Sequence, residues 1–123
     1  MENVSKHAIK EVCELVDLYD YIQLLPKKYA TVIGIGEHEW SNSQKQKLAL
    51  ARLLLRVDCK VVVLDDPTIF LTDSNVRRKI IKMLKNKLSE KTVIVLSSHK
   101  STIEEFNCDI KYYLNNSTLK VYS

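Results

Sequence analysis

Two neighbouring carboxylates, Asp65 and Asp66, directly follow a short apolar run and are the first residues in the chain that could do chemistry. Because neighbouring residues of a strand point to opposite sides, the two acids would do different work. One could orient a hydrated Mg²⁺ while the other faces an attacking water. Pro67 fixes a sharp exit from the strand, which favours a functional site over two acids that merely end a strand in solvent.

A histidine occupies the equivalent place after a second apolar run. His99 lies just beyond residues 92–97. If the two runs are parallel strands, His99 and the two acids lie at the same edge of the sheet, where ligands of open parallel sheets bind. There the imidazole could contact a phosphate oxygen and hold the water-facing acid in place. The alternative is an ordinary surface or core histidine, but its position beside the acid-bearing strand favours function.

A third polar group precedes an Ala/Leu-rich helical pattern. Its members are Ser41, Asn42, Ser43 and Gln44. Ser41 and Gln44 form an S-x-x-Q capping box, in which each side chain bonds to the backbone of the other residue. A helix start also carries free N–H groups and a partial positive charge, which favour phosphate. Capping and phosphate binding are compatible, so the pattern predicts a capped helix with an anion site at its start.

The elements that must position these groups alternate between helix and strand. The predicted elements are a helix over 5–18 capped by Ser5, a helical turn over 20–25, a helix over 43–55, a strand over 60–65, a helix from Asp73 or Ser74 to Leu88, a strand over 92–97, a helix over 102–106, and a hairpin of 110–114 and 119–122. Continuous apolar runs such as 60–65 and 92–97 are typical of parallel strands buried on both faces. The middle of the chain therefore predicts a right-handed strand–helix–strand crossover.

Composition and charge exclude several classes of protein. The chain has 123 residues, of which 46% are hydrophobic and 28% charged, and a net charge of +4, which is ordinary for a soluble globular protein and too small for a dedicated nucleic-acid binder. A basic helical pattern lacks interleaved aromatic residues and is therefore expected to be a solvated face. It consists of Arg77, Arg78, Lys79, Lys82, Lys85 and Lys87. No apolar run is long enough to cross a bilayer, so we expect a cytoplasmic protein without a membrane span.

The cysteines are odd in number and widely spaced. They are Cys13, Cys59 and Cys108. No CxxC pattern or cysteine–histidine cluster is present, which argues against a zinc site and against a disulfide framework. We therefore expect reduced, buried cysteines.

Taken together, these motifs resemble the C-terminal half of an ATP-binding cassette (ABC) domain of the exporter type. The family signature LSGGQ, followed by a basic Ala/Leu-rich helix, corresponds to residues 40–44 and 45–55. The Walker B strand of the family ends in Asp-Glu-Pro-Thr, which corresponds to Asp65, Asp66, Pro67 and Thr68. The H-loop histidine corresponds to His99. Residues 15–34 resemble the helical subdomain of peptide and bacteriocin exporters.

The resemblance implies an α/β fold that is a partial P-loop NTPase-like (ABC ATPase) structure. We expect a parallel sheet with flanking helices, a helical-subdomain remnant on the N-terminal side and a C-terminal β-hairpin. Residues 1–58 would hold the helical-subdomain remnant and the signature helix. Residues 59–123 would hold the Walker B and H-loop part, and both would form one structural unit.

The resemblance also implies roles for the polar residues. In the family, two domains form a head-to-tail dimer, and each ATP lies between the Walker A loop of one domain and the signature loop of the other. The nucleotide-binding residues would be Ser41, Asn42, Ser43 and Gln44. Asp65 would hold Mg²⁺ through water, and Asp66 and His99 would be catalytic, with Asp66 as the general base.

The implied cofactor is Mg-ATP, bound only together with a partner that supplies Walker A. That partner would be an ABC nucleotide-binding domain, a transmembrane exporter subunit or a second copy of the chain. Such a partner would bring the chain to the inner face of the membrane.

Three departures from the family pattern alter the functional expectation. The sequence contains no GxxxxGKS/T pattern, Asn42 and Ser43 replace the signature glycines, and Asp66 replaces glutamate. We therefore expect a truncated or degenerate segment, inactive as an ATPase alone, that completes a composite ATP site of a peptide exporter. The alternative is a non-catalytic pseudo-ATPase that docks on an intact ABC cassette and regulates it. The residues alone leave open whether the chain is a short protein or a piece of a longer one.

Overall fold

The computed structural model describes residues 3–34, 39–56 and 58–121, which form a small α/β fold. The helices are α1 Lys6–Leu15, α2 Tyr19–Leu24, α3 Asn42–Leu54, α4 Ser74–Lys87 and α5 Lys100–Phe106, with a 3₁₀ turn at Lys28–Ala30. The strands are β1 Val61–Asp65, β2 Thr92–Leu96, β3 Tyr112–Asn115 and β4 Thr118–Val121. Each predicted element is present with small shifts in its bounds, and Tyr122, the predicted end of the hairpin, lies outside the described residues. The division of the chain at residue 58 remains a prediction.

Two separate sheets are present among the described residues. Strands β1 and β2 are parallel, with Asp65 opposite Leu96, and α4 forms the crossover that parallel strands require. Strands β3 and β4 form an antiparallel hairpin. Asn116 and Ser117 form its turn, and both have positive φ, which matches the twist of a two-residue hairpin turn.

The prediction that β1 and β2 are buried on both faces is wrong. Val62 and Leu64 are only 3% and 5% exposed, but the residues that alternate with them are accessible to solvent. The exposed apolar residues form what we call the uncovered sheet face, namely Val61, Val63, Ile94 and Leu96. A continuous apolar run indicates burial on both faces only where both faces are covered. Within the described residues, the core covers one face alone.

The core lies between the helices and the covered face of the β1–β2 sheet. Its most deeply buried side chains are Val16, Leu18, Ile80 and Leu84. Ser5 and Asp73 cap α1 and α4, as predicted, because their side-chain oxygens accept from backbone N–H groups that have no partner within the helix. The cysteines are free, but only Cys13 is buried. None of the helices in the described ranges has both the length and the apolar character needed to cross a bilayer.

The basic face of α4 is exposed except at Arg77. The expectation that this face is solvated is therefore wrong at Arg77, whose side chain connects α4 to α5. The Nε of Arg77 donates to both carboxylate oxygens of Glu105 on α5, at 3.2 and 2.9 Å, and its Nη1 donates to the carbonyl of Leu71 at 3.1 Å. The two charged side chains are only 25% and 24% exposed. Hydrogen bonding to Arg77 lowers the pKa of Glu105 below its ordinary value and raises the pKa of Arg77. The sequence alone gave no sign of this pair, because its members lie far apart along the chain.

We expect the substitution Glu105→Gln to remove an acid-sensitive part of the stability. Because the pKa of Glu105 is lower in the folded than in the unfolded chain, its contribution is present above the ordinary value of 4.5 and is lost as the pH falls through the folded pKa. The variant should lose about 1 kcal/mol of unfolding free energy near neutral pH and respond less to acid than the parent chain. Urea denaturation over a pH series measures both effects.

Glu104→Gln is the matched control. Glu104 lies on the same helix, and its pair with Lys100, at 3.7 Å, is largely solvent-exposed. This variant should change the unfolding free energy by less than about 0.5 kcal/mol. Equal losses for the two variants would contradict a special role for the pair between Arg77 and Glu105.

Candidate functional site

Asp66 lies directly after β1 and is held by the end of β2. Its backbone N–H donates to the carbonyl of Leu96 at 2.8 Å, and its Oδ1 accepts a hydrogen bond from the hydroxyl of Ser97 at 2.6 Å. The φ of Asp66 is +42°, in the left-handed region that residues other than glycine seldom adopt. The chain therefore leaves the strand abruptly at Asp66, and the carboxylate contacts the residue that follows β2.

Ser97 connects Asp66 to His99. While its hydroxyl donates to Asp66, it also accepts a hydrogen bond from the backbone N–H of His99 at 3.0 Å. His99 itself is exposed at the N-cap position of α5. Ser97 thus connects the carboxylate of Asp66 to the backbone N–H of His99, and the side chain that contacts the acid is that of Ser97. Sequence reasoning missed Ser97, and the only available signal was the change from apolar to polar residues after β2.

Asp65, the last residue of β1, is exposed on the same side of the sheet as Val61 and Val63. Among the described residues its carboxylate has no hydrogen-bonding or ionic partner. Such a group fits Mg²⁺, which binds in nucleotide sites through one or two carboxylates together with waters and phosphate oxygens. In the part of the chain that the structure describes, no group of three or more His, Cys, Asp or Glu residues could hold a metal ion.

The start of α3 contains the predicted capping box. Ser41 Oγ accepts from the backbone N–H of Gln44 at 3.2 Å, and Gln44 Oε1 accepts from the backbone N–H of Ser41 at 2.8 Å. Asn42 and Ser43 form the beginning of the first turn, where backbone N–H groups have no partner within a helix. The cap therefore uses two donors and leaves those of Asn42 and Ser43 available to an anion.

Gln46 joins α3 to the loop that follows β1. Its Nε2 donates to the carbonyl of Asp66 at 3.0 Å, and its Oε1 accepts from the backbone N–H of Phe70 at 2.9 Å. Both ends of this amide are thus used to hold one loop. Sequence reasoning missed Gln46, because a glutamine inside a helical pattern gives no sign of the segment that it will contact.

Two further contacts connect the N-terminal part of the chain to the start of α3 and to the segment before it. Trp40 is 5% exposed, and its ring meets Tyr21 edge-on at a centroid distance of 5.4 Å and an interplanar angle of 87°. Such a pair stabilises beyond the burial of its area. Lys47 forms an ion pair with Asp17 at 3.0 Å. Residues 17 and 21 therefore hold the N-terminal end of α3 in place, while Gln46 connects α3 to Asp66.

We expect Ser97→Ala to destabilise the chain by about 1–2 kcal/mol, because it leaves a half-buried carboxylate without its hydroxyl donor. Ser98→Ala is the control, since Ser98 is exposed next to it, and its effect should stay within about 0.5 kcal/mol. Chemical denaturation of both variants measures the difference. If the two substitutions cost the same, the hydrogen bond between Ser97 and Asp66 makes no net contribution.

Comparisons with known proteins give sequence relatives for most of the chain. No protein-family model matches it. It is similar to mouse ATP-binding cassette sub-family B member 5, with 36% identity over 118 residues that cover 95% of this chain and 9% of that protein. It is also similar to P-glycoprotein 14 of Caenorhabditis elegans, with 37% identity over 101 residues that cover 82% of this chain and 8% of that protein. The chain therefore spans less than a tenth of the length of either relative.

A solved structure shows the same fold. A bacterial Atm1-family ABC exporter with ATP bound superimposes with a TM-score of 0.72 at 25% identity, over 84% of this chain and 18% of the exporter chain. The mouse relative and the bacterial exporter both carry the ATP-binding cassette designation in their names. They agree with the resemblance inferred from the motifs, while the roles of the individual site residues remain predictions.

Proposed function

Because the chain belongs to the ABC transporter family, we propose that it contributes part of a composite ATP site. The chain corresponds to one segment of the much longer members of that family. In this proposal the start of α3, residues 41–44, approaches the phosphates of a nucleotide held by the Walker A loop of a partner. Asp65 helps to hold Mg²⁺ through water, and Asp66 and His99 face the reacting phosphate. The proposal is supported above all by the hydrogen-bonded chain from Asp66 through Ser97 to His99.

Each side chain has a task that its surroundings permit. Asp66, as general base, would accept a proton from the attacking water and must come within about 3 Å of it. The hydroxyl of Ser97 occupies Oδ1, which leaves Oδ2 for that water. When bound, Mg²⁺ would neutralise negative charge on the phosphates. The free N–H groups of Asn42 and Ser43 would donate to phosphate oxygens.

The departures from the family signature limit the expected turnover. Asn42 and Ser43 carry side chains where the family has glycines, so the backbone approaches a phosphate less closely. Asp66 is one methylene shorter than glutamate. Since the sequence contains no Walker A pattern, the chain would act only together with a partner and would not hydrolyse ATP alone.

The proposed partner is the nucleotide-binding domain or the transmembrane subunit of an exporter, or a second copy of the chain in a homodimer. The resemblance of residues 15–34 to peptide exporters makes a peptide the proposed cargo of that exporter. The partner would hold the chain at the cytoplasmic side of the membrane.

We expect the isolated chain to bind MgATP with a dissociation constant well above about 1 µM, because no Walker A loop cradles the phosphates. Isothermal titration calorimetry with MgATP measures this affinity. Binding tighter than that limit by the chain alone would overturn the composite-site proposal.

We further expect nucleotide-dependent association with an ABC nucleotide-binding domain that carries Walker A. Light scattering should detect the complex with ATP and Mg²⁺ but not without nucleotide. Ser43→Glu should weaken it at least about tenfold, since a carboxylate would oppose the phosphates. Asn86→Glu, at an exposed position of α4, is the control of equal charge and should have no effect. The composite site is refuted if ATP produces no association.

A second candidate function is regulation of an intact cassette without contact to ATP. The uncovered sheet face favours it, because Val63 and Ile94 are 58% and 46% exposed and parallel sheets are normally covered on both sides. The occupant of this face would be an intact ABC nucleotide-binding domain. Association would then be independent of nucleotide, abolished by Val63→Lys and unaffected by Asp66→Asn. An unchanged affinity of Val63→Lys would exclude this mode of docking.

A further inference from the structure

We infer that Gln46 is a positioning residue through which a displacement of the start of α3 changes the conformation of Asp66. The inference rests on the proposed function, which assigns both groups to the phosphates of a partner-held nucleotide. It goes beyond that function because it names the physical connection between them. Through this connection, contact of a phosphate with α3 would change the position of the acid.

The first argument is the geometry of the amide. Gln46 donates to the carbonyl of Asp66 and accepts from the N–H of Phe70, at 3.0 and 2.9 Å. The side chain therefore bridges the two ends of the loop that carries the acid. A backbone hydrogen bond within the same loop joins the N–H of Ile69 to the carbonyl of Asp66 at 3.3 Å. A movement of Gln46 therefore moves residues 66–70 as a hydrogen-bonded turn.

The second argument is the rigidity of the path from the helix start. Gln46 lies on the second turn of α3, about 7.5 Å along the axis from the N-cap Ser41. The capping box and the helical hydrogen bonds make this length of helix a stiff body. A displacement of residues 41–44 is therefore expected to reach Gln46 almost undiminished.

The third argument is the conformation of Asp66 itself. On one side its carbonyl is bound to α3 through Gln46, and on the other its N–H and carboxylate are bound to Leu96 and Ser97. Its φ of +42° places the residue in a narrow conformational well. A shift of α3 relative to β2 must be absorbed by the backbone dihedrals of Asp66 between these anchors, and this reorients its carboxylate.

Nuclear magnetic resonance of the isolated chain tests the inference without nucleotide or partner. Ser41→Ala disturbs the helix start, and the shifts of the Asp66 and Phe70 amide resonances are the readout. In the Gln46→Met background, which keeps the length of the side chain but neither hydrogen bond, the same substitution should shift both resonances at least about threefold less. This non-additivity measures coupling, which a residue that only stabilises the fold would not produce.

Gln46→Glu separates the two hydrogen bonds and serves if Gln46→Met does not fold. It keeps an oxygen acceptor for the N–H of Phe70 but loses the donor to the carbonyl of Asp66. Hydrogen exchange at Phe70 should then stay slow, whereas Gln46→Met should speed it about tenfold. The response of Asp66 to Ser41→Ala should be lost in both variants.

Ser5→Ala is the matched control, because Ser5 caps α1 by accepting from the N–H of Ala8 at 3.1 Å. Its effects on Asp66 should not depend on residue 46. If Ser41→Ala shifts Asp66 equally in the parent chain and in both Gln46 variants, Gln46 does not couple the two groups. Absence of nucleotide-dependent association would refute the composite site. The coupling between Ser41 and Asp66 could still be measured, because it is tested without nucleotide or partner.

Discussion

The parallel pairing of β1 with β2 is the constraint on which the candidate site depends. It sets Asp65 opposite Leu96, and only in this register can the N–H of Asp66 reach the carbonyl of Leu96 while Ser97 reaches the carboxylate. Ile80 and Leu84 of the crossover helix α4 are almost completely buried in the same core as Val62 and Leu64 of β1. The ion pair between Arg77 on α4 and Glu105 on α5 then keeps the segment with His99 in place. A slip of one residue would invert every side chain of β2 and separate these groups.

Much of this architecture could be predicted from local sequence, because local chemistry decides it. Apolar runs and caps indicated α1, α3, α4 and both parallel strands, and the capping box of Ser41 and Gln44 is present as expected. The predicted burial of both faces of β1 and β2 is wrong. An apolar run indicates which side chains a strand could bury, but it does not indicate which elements pack against the strand. Gln46 and Ser97 were missed for a related reason. Their hydrogen bonds connect segments far apart along the chain, and no spacing rule reports such contacts.

The region around Asp66 is ordered by contacts that reach it from several directions. The carboxylate, N–H and carbonyl of Asp66 are each bound by a different neighbour, namely Ser97, Leu96 and Gln46. The helix α3 begins with a reciprocal cap between Ser41 and Gln44. Two of the contacts to Asp66 come from the side chains of Gln46 and Ser97, which lie far from it along the chain.

The uncovered sheet face also has a consequence for the cell that makes this protein. Apolar side chains that remain exposed to solvent in the folded chain attract chaperones and proteases. They also favour aggregation as the protein concentration rises. A surplus over whatever covers the face would accordingly be degraded or lost to precipitation. If a partner covers this face, the steady-state abundance of the chain would follow the supply of that partner more closely than the rate of its own synthesis.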